Sequence, residues 1–527
     1  MQQPKRDATL SSQPLSVDEL LRPDAFPHAV GELALRETHI SWVVLTGQFA
    51  YKIKKPVKLD FIDASTLELR RHYCAEELRL NRRLAPDLYV DVVPITVQDG
   101  RVMIGGHGPV LDYAVRMRQF AACDELPELL ATNAVTTAQV ESLARRLAAF
   151  HSSAAVAAAQ RTPEKTDQMY EAVLGNLAQL LEHLEGVDPA SLSRLVEWTL
   201  AQARALEDTF QLRERNGFIR ECHGDLHAGN IVRDGNELVP FDCIEFDPRL
   251  RWIDVINDIA FLVMDLMSYG RNELAVVLLN RYLEATGDYR GVQVLPFYAV
   301  YRALVRAKVD ALMAAQAHVR AAEFREKLRR RIQAASSWTT PRQPVLILMH
   351  GASGSGKSWL SKQLTAELPA IRIRSDLERK RLAGISVTQS ATADVRQGIY
   401  SPHFTYRTYS HLADSAEGCL RAGLHVIVDA AFLDPAERAL FRSLARQMGS
   451  PCVIVSCQAD PATLAARILD RTKRANPSDA NLSVLDTQLR EIKPFDAAEQ
   501  SCVVPIDTSA PDAVQRVVAA IRARCAL

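Results

Sequence analysis

At 527 residues the chain is too long for one core, since single cores stop growing near about 250–300 residues, so at least two domains are expected. Hydrophobic residues make up 48% and charged residues 24%, which excludes wholesale disorder, and 63 basic against 63 acidic residues give a formal net charge of zero, so no global field draws the chain to nucleic acid or an anionic membrane. Nine scattered cysteines without a CxxC pair argue against a disulfide framework or zinc ribbon; with no signal-peptide or membrane-length apolar run in view, a cytoplasmic protein without a membrane partner is expected.

In chain order, the first forty residues carry little pattern. Residues 42–45 and 49–53 then read as two strands joined by a turn at Gly47. Leu69, Tyr73, Leu80 and Leu84 recur at helical spacing and predict a helix over 67–84, closed by Pro86. Further strands are expected at 90–97, 101–104 and 111–117, separated by turn-rich Gln98-Asp99-Gly100 and Gly105-Gly106-His107-Gly108. A β-rich lobe with one helix is the result. Helices are expected next, over 140–157, 170–184, 192–207, 252–267, 274–283 and 297–315, interrupted at 223–242 by short apolar runs among Gly, Asn and Asp. The polar, Pro-containing stretch 336–344 reads as a linker, so domains are expected over 30–335 and 345–527. Beyond it, apolar strands at 345–349, 425–428, 452–456 and 502–506 alternate with amphipathic helices, the signature of a parallel α/β sheet.

The strand at 345–350 runs into Gly351-Ala352-Ser353-Gly354-Ser355-Gly356-Lys357-Ser358, a full GxxxxGKS before a helix carrying Trp359, Leu360 and Leu364. Glycines let such a loop turn until backbone N–H groups surround phosphate oxygens, and the helix N-terminus adds its dipole. Lys357 is then placed to bridge the β- and γ-phosphates of ATP, and Ser358 to ligate Mg2+. Val426-Ile427-Val428-Asp429 is an apolar strand ending in a carboxylate, the Walker B form that holds Mg2+; capping of the next segment is the alternative. Arg372-Ile373-Arg374-Ser375-Asp376 is read as following the second short strand, where Asp376 and an arginine can orient an acceptor hydroxyl or an anionic substrate. Arg379, Lys380 and Arg381 either join that site or form a solvated helix face. Arg467, Arg471 and Arg474 recur at spacings of four and three before Asn476-Pro477-Ser478-Asp479-Ala480. They could close as a lid on the transferring phosphoryl group, an exposed basic face being the alternative.

Together these features resemble the P-loop kinases that phosphorylate small molecules, such as gluconate-kinase-like and zeta-toxin-like proteins, over about residues 344–527. The resemblance implies phosphoryl transfer to a hydroxyl rather than motor or AAA-type work, for which no arginine finger or second-region motif is found.

His223-Gly224-Asp225-Leu226-His227-Ala228-Gly229-Asn230 has H-x-D-x-x-x-x-N spacing, and Asp242 follows twelve residues later. In kinase chemistry Asp225 orients and deprotonates the attacking hydroxyl, while Asn230 and Asp242 hold metal ions. Taken singly, they could be loop residues making Asx-turns. Upstream, Phe49-Ala50-Tyr51-Lys52 sits in the manner of V-A-I-K, so Lys52 can reach the α- and β-phosphates and Glu77 can orient it; Lys54, Lys55 and Glu76 leave the register open. His151 and His223 read as structural, because no metal-ligand spacing surrounds them. Glu245, Asp247, Asp254 and Asp258 either attract a cationic acceptor or pair with Arg249 and Arg251.

This half resembles the aminoglycoside phosphotransferase-like kinases over about residues 30–330, in HGDLHAGN, in Phe241-Asp242, and in the helices at 143–151 and 301–308. Two departures argue against a protein kinase: no G-x-G-x-x-G loop, only Gly47, and Cys243-Ile244 after Asp242 where protein kinases have Phe-Gly. The expected fold is an α+β, bilobal, protein-kinase-like domain followed by an α/β P-loop NTPase domain with a mostly parallel sheet. The expected activity is ATP- and Mg2+-dependent phosphorylation of small hydroxylated molecules, with no nucleic-acid partner; the alternative is a nucleotide-binding regulator without turnover.

Overall fold

The computed structural model describes residues 15–59, 62–157, 175, 188–316, 321–340, 342–386, 398–472 and 482–525. Alternation of apolar and polar residues builds its first sheet. Strands β1 (Ala34–Glu37), β2 (Ser41–Leu45) and β3 (Phe49–Lys54), the short pair β4 (Lys58–Leu59) and β5 (Ile62–Asp63), and β6 (Tyr89–Gln98), β7 (Arg101–Ile104) and β8 (Val110–Arg118) follow in sequence. Six of them form an antiparallel sheet in the order β1-β2-β3-β8-β6-β7. The period of two in β3 sends Tyr51 and Ile53 into one apolar cluster with Val44, Ile95 and Ala114. Ala50 goes to the opposite cluster, with Cys74 of helix α1 (Leu67–Asn81). Lys52 and Lys54 share that second face, so they meet α1.

Gly47 lies in the β2–β3 turn with φ 90°, and Gln119 Oε1 accepts from its N–H at 2.9 Å. The β1–β2 connection, Thr38-His39-Ile40, has no glycine at all. Helix α2 (Thr137–Ser153) opens with a capping box between Thr136 and Gln139. Beyond it, β9 (Ile219–Glu221) pairs antiparallel with β12 (Trp252–Asp254), and β10 (Ile231–Asp234) forms a hairpin with β11 (Glu237–Pro240). The helix expected from residue 252 therefore starts only at Val255, because the three residues before it are taken by β9.

The long helices that follow are α3 (Pro189–Ala205), α4 (Val255–Ser268), α5 (Asn272–Thr286), α6 (Leu295–Gln316) and α7 (Ala321–Thr339). The helix expected at 170–184 lies outside the described residues but for Gly175. Helix α7 takes in the first four residues of the stretch read as a linker. After it come β13 (Leu346–His350), α8 (Lys357–Glu367), β14 (Ala370–Arg374), α9 (Ser375–Leu382), α10 (Pro402–Arg421), β15 (His425–Asp429), α11 (Pro435–Gln447), β16 (Cys452–Gln458), α12 (Pro461–Thr472), α13 (Leu482–Glu491), β17 (Val503–Asp507) and α14 (Ala513–Cys525). The five strands are all parallel, in the order β14-β15-β13-β16-β17, and Arg372 and Arg374 lie on β14 itself rather than after it. Ile347, Met349, Leu360, Leu364, Val455 and Val517 fill one side of this sheet.

Two compact units result: Met1–Ala159 with Glu214–Asp258, and Gln160–Arg213 with Ile259–Leu527. This division differs from one at 336–344, since the helices after residue 258 group with the parallel sheet.

Candidate active sites

The H-x-D-x-x-x-x-N segment occupies the loop between β9 and β10, and short-range bonds shape it. Asn230 Nδ2 donates to both Asp225 Oδ2 and Asp225 O at 2.9 Å, and His227 Nε2 lies 3.3 Å from Asp225 Oδ2. His223 is fully buried with Nε2 against Phe241 O at 2.9 Å, and burial holds its imidazole below the usual range. Asp258 accepts from the N–H groups of His223 and Gly224 at 2.9 and 3.0 Å, and sits 3.1 Å from His151 Nε2. Burial pushes the Asp258 carboxyl up, but the two histidines and the backbone bond outweigh it and leave it below the carboxylate range. His151 Nε2, Cys222 Sγ and an Asp258 oxygen lie within 4.8 Å of one another, a grouping with metal-ligating atoms that the spacing did not suggest. All three atoms have protein partners, the Cys222 thiol donating to Ile253 O at 3.5 Å.

Asp242 adopts φ 66°, a left-handed conformation that costs a non-glycine residue of order 1 kcal/mol or more. Its neighbours hold it there. Phe241 N donates to Asn230 O at 2.9 Å, Asp242 N to the Tyr89 hydroxyl at 3.1 Å, and Cys243 N to Asn81 Oδ1 at 2.8 Å. The side chain of Cys243 packs with Leu80, Leu84 and Phe150, which accounts for an apolar residue where protein kinases have Phe.

Lys52 Nζ lies 2.8 Å from Glu77 Oε1 and contacts Asp242 Oδ1 directly. Burial pulls the Lys52 ammonium down, but Asp242 and Glu77 outweigh it and raise it well above its usual value. Lys54 is a second buried lysine, 2.5 Å from both Glu77 Oε2 and Glu245 Oε1. Burial and the Glu77 charge push Glu245 up against the pull of Lys54. Lys55 instead pairs with Glu37, and Glu76 with Arg79. Of the acidic set, Asp247 pairs with Arg249 at 2.8 Å and Glu245 with Lys54, whereas Arg251 turns to Glu221 and Glu76. Asp225 and Asp242 remain partly open, with side chains 36% and 38% exposed. With the Asn230 amide beside them, they offer the hard oxygen donors that Mg2+ requires.

In the second unit β13 delivers the glycine-rich loop. Gly351, Gly354 and Gly356 have φ of 137°, 82° and 84°, and a Cβ on Gly356 would lie 2.8 Å from Thr508 Oγ1. Lys357 Nζ donates to Gly351 O and Ala352 O at 2.7 and 2.8 Å, Ser353 N donates to Gln488 Oε1 at 2.7 Å, and Thr508 Oγ1 donates to Ser355 O at 2.9 Å. Ser358 Oγ lies 3.3 Å from Asp429 Oδ1, at the carboxyl end of β15. Asp429 Oδ2 faces Arg372 Nη2 at 2.7 Å and Ser361 Oγ at 3.1 Å. Burial pushes Asp429 up, but Arg372 and Arg374 outweigh it and hold the carboxyl below its usual value. A serine hydroxyl and a carboxylate oxygen beside a helix N-terminus again suit Mg2+.

Asp376 stands in the first turn of α9, its carboxyl raised by burial and by Asp429 against the pull of Arg374. The basic trio after it is not a solvated face. Arg379 donates to Ile399 O at 2.6 Å, Lys380 is 2% exposed, and Arg381 pairs with Glu378. Arg467 Nη1 donates to Thr508 Oγ1 at 2.9 Å and its Nη2 to Ser509 Oγ at 3.0 Å, which fixes it at the edge of the phosphate loop. The side chain of Arg471, all of Arg474 and residues 476–480 lie outside the described residues.

Residues 69–295 match the family model described as "Phosphotransferase enzyme family", and residues 346–495 the one described as "AAA domain". Uncharacterised proteins of Mycobacterium tuberculosis and Mycobacterium bovis are each 30% identical to this chain over 512 residues, 97% of both lengths. The chain belongs to their family. It joins a phosphotransferase-type domain to a P-loop kinase-type domain. Among solved structures, a gluconokinase from Sinorhizobium meliloti 1021 is 23% identical and covers 35% of this chain and 95% of its own, with a TM-score of 0.26. A choline kinase from Cryptosporidium parvum Iowa II is 11% identical and covers 61% of this chain and 94% of its own, with a TM-score of 0.38.

Several members of these two sites carry no local sequence signal. Tyr89 and Asn81 support the first and Ser361 the second, whereas Lys54, Glu245 and Arg372 stand in runs already singled out, without their partners being legible there. Glu437, pushed up to about 7 by burial, accepts a hydrogen bond from the Tyr409 hydroxyl near Arg379. No patterned run of residues announces Tyr89, Asn81, Ser361 or Glu437.

Proposed function

We propose that this family member is a bifunctional, cytoplasmic, ATP-dependent phosphotransferase with two separate sites acting on small hydroxylated molecules. The observation that supports it most is that each site assembles an acceptor-side carboxylate beside oxygen donors for a cation and a lysine for phosphate. In the first, Asp225 is fixed by Asn230 and Lys52 spans Glu77 and Asp242. In the second, Ser358 faces Asp429, Lys357 folds onto the glycine loop, and the Asp376 carboxyl feels the charges of Asp429 and Lys357. Bound Mg2+ would neutralise the β- and γ-phosphate charge in both.

The chain's own groups do the rest. Asp225, or Asp376, takes the acceptor hydroxyl proton as the oxygen–phosphorus bond forms, and the bond to the ADP oxygen breaks. Lys52 and Lys357 hold the phosphates. The raised Asp376 carboxyl suits a group that must accept a proton. Arg467, held at the glycine loop by Gly354 O and Thr508 Oγ1, is the residue we assign to offset charge on the transferring phosphoryl group. All nine cysteines are free, as suits a reducing compartment, and among the described residues no helix is long and apolar enough to cross a membrane.

The test is a screen of a metabolite library with labelled ATP and the full chain. Asp225→Asn should remove one set of products, cutting its rate by roughly 10²–10⁴-fold while sparing nucleotide affinity. Lys357→Ala should remove the other set. A chain that binds nucleotide at both sites yet phosphorylates no acceptor would instead be a regulator.

A further inference from the structure

Strand β14 is the edge of the parallel sheet, and an edge presents unpaired N–H and C=O groups. Helix α5 covers it, although α5 lies within the residues that match the phosphotransferase family rather than the P-loop domain. Asn280 of α5 donates from Nδ2 to Ala370 O at 2.9 Å and accepts at Oδ1 from Arg372 N at 2.7 Å, standing in for a missing strand at two successive groups. Tyr289, fully buried, donates to Arg372 O at 3.5 Å. Arg381 Nη2 donates to Glu284 O at 2.7 Å, close to Gly287, where a Cβ would lie 2.6 Å from Arg381 Nε. At φ 74° and against Arg381, a side chain at position 287 would be strained.

The same contact reaches the cation ligands. Glu284, 8% exposed, places Oε1 3.6 Å from Arg372 Nη1 and is steadied by Arg281 at 2.8 Å. The other amino group of Arg372 lies 2.7 Å from Asp429 Oδ2 and 3.1 Å from Ser358 O. One buried guanidinium is thus shared between a carboxylate from α5 and the carboxylate beside Ser358.

We propose that Glu284 is a positioning residue of the P-loop site, contributed by the helical part of the other kinase, and that by sharing Arg372 it keeps Asp429 available to a divalent cation. The inference rests on the P-loop kinase reading. Without the Glu284 charge, Arg372 has only Asp429 to neutralise it, so a cation must displace a tighter ion pair. The phosphotransferase segment would then be needed for the chemistry of the P-loop site, and residues 345–527 would not be a self-contained enzyme.

The experiment measures binding of a fluorescent ATP analogue to the full chain as Mg2+ is varied, in an Asp242→Asn background, counting only the signal that Lys357→Ala removes. Glu284→Gln should raise the Mg2+ midpoint roughly tenfold and leave metal-free nucleotide affinity unchanged. Adding Arg372→Met should bring the midpoint back towards the parent value. Asn280→Ala, which only uncovers the strand edge, should lower thermal stability without moving the midpoint. Should Glu284→Gln fail to fold, Glu284→Asp must still shift the midpoint in the same direction. An unchanged midpoint, or an equal shift from Asn280→Ala, overturns the proposal while leaving the kinase reading intact. A parent chain that binds no Mg-nucleotide at this site overturns both.

Discussion

Glu77 concentrates the charge of the first site. Two lysines and two carboxylates converge there, with side-chain exposures of 13% for Lys52, 0% for Lys54, 0% for Glu77 and 4% for Glu245. Glu77→Gln keeps the size and leaves both lysines facing one buried carboxylate, since Asp242 is 38% exposed and screened by water. Neutralising one member of a buried pair costs about 3–5 kcal/mol, because the partner charge stays buried. That is roughly a 10²–10⁴-fold rise in local opening. A chain of two units does not unfold in one step, so the assay is hydrogen exchange of peptides covering β3 and α1 rather than a global melt. Adding Lys54→Met removes the surplus positive charge and should recover much of the protection. Acceleration of less than about fivefold in Glu77→Gln would mean that water reaches these charges. A double variant that exchanges at least as fast as the single would show that packing, not charge balance, sets the stability.

Two further outcomes follow from the second unit. Gly356→Ala forces a side chain into φ 84° and against Thr508 Oγ1, so nucleotide binding at the P-loop should weaken roughly tenfold or more; unaltered affinity in a titration would contradict the cradle geometry. His350, at the end of β13, is pushed down to about 4 by burial and by the charges of Arg438 and Lys357, from 6.5 when unfolded. Between those values the unfolded state binds the extra proton, so this contribution is full above pH 6.5 and is lost as pH falls towards 4, by at most about 3 kcal/mol. His350→Gln should flatten that part of the pH dependence of hydrogen exchange in β13, and an unchanged slope would assign it to other groups.

The parts of this chain legible in its sequence are those whose physics closes within a few residues. The antiparallel strands follow from alternation. Asn230 reaches Asp225 across five positions and Lys357 folds back on Gly351 across six, so each motif prints both partners in one short run. The end of α7 was legible only as a linker, because Ser336, Ser337 and Thr339 look like loop residues. In the helix their hydroxyls donate to carbonyls three or four residues back, which lets a polar tail stay helical. Strand β14 alternates Ile371 and Ile373 with Arg372 and Arg374, and its arginines hide it as a strand.

What tunes the two sites comes from much further away. Asp242 is held by Tyr89 across 153 positions, Lys54 meets Glu245 across 191, and Arg372 meets Asp429 across 57 and Asn280 across 92. A pattern read along the chain sees none of these pairings, and takes a residue such as Asn280 as isolated, for which a solvated surface position is the ordinary expectation. Burial changes that expectation, because a charge that leaves water must find a partner. Lys54, Glu77 and Glu245 satisfy one another around Lys52, and Arg372 satisfies Asp429 with help from Glu284. In both units, then, the local motif supplies the oxygens and the lysine that phosphate and cation chemistry need. The charges around those groups are assembled by the fold, and at the P-loop one of them, Glu284, is brought by a helix of the segment that matches the phosphotransferase family.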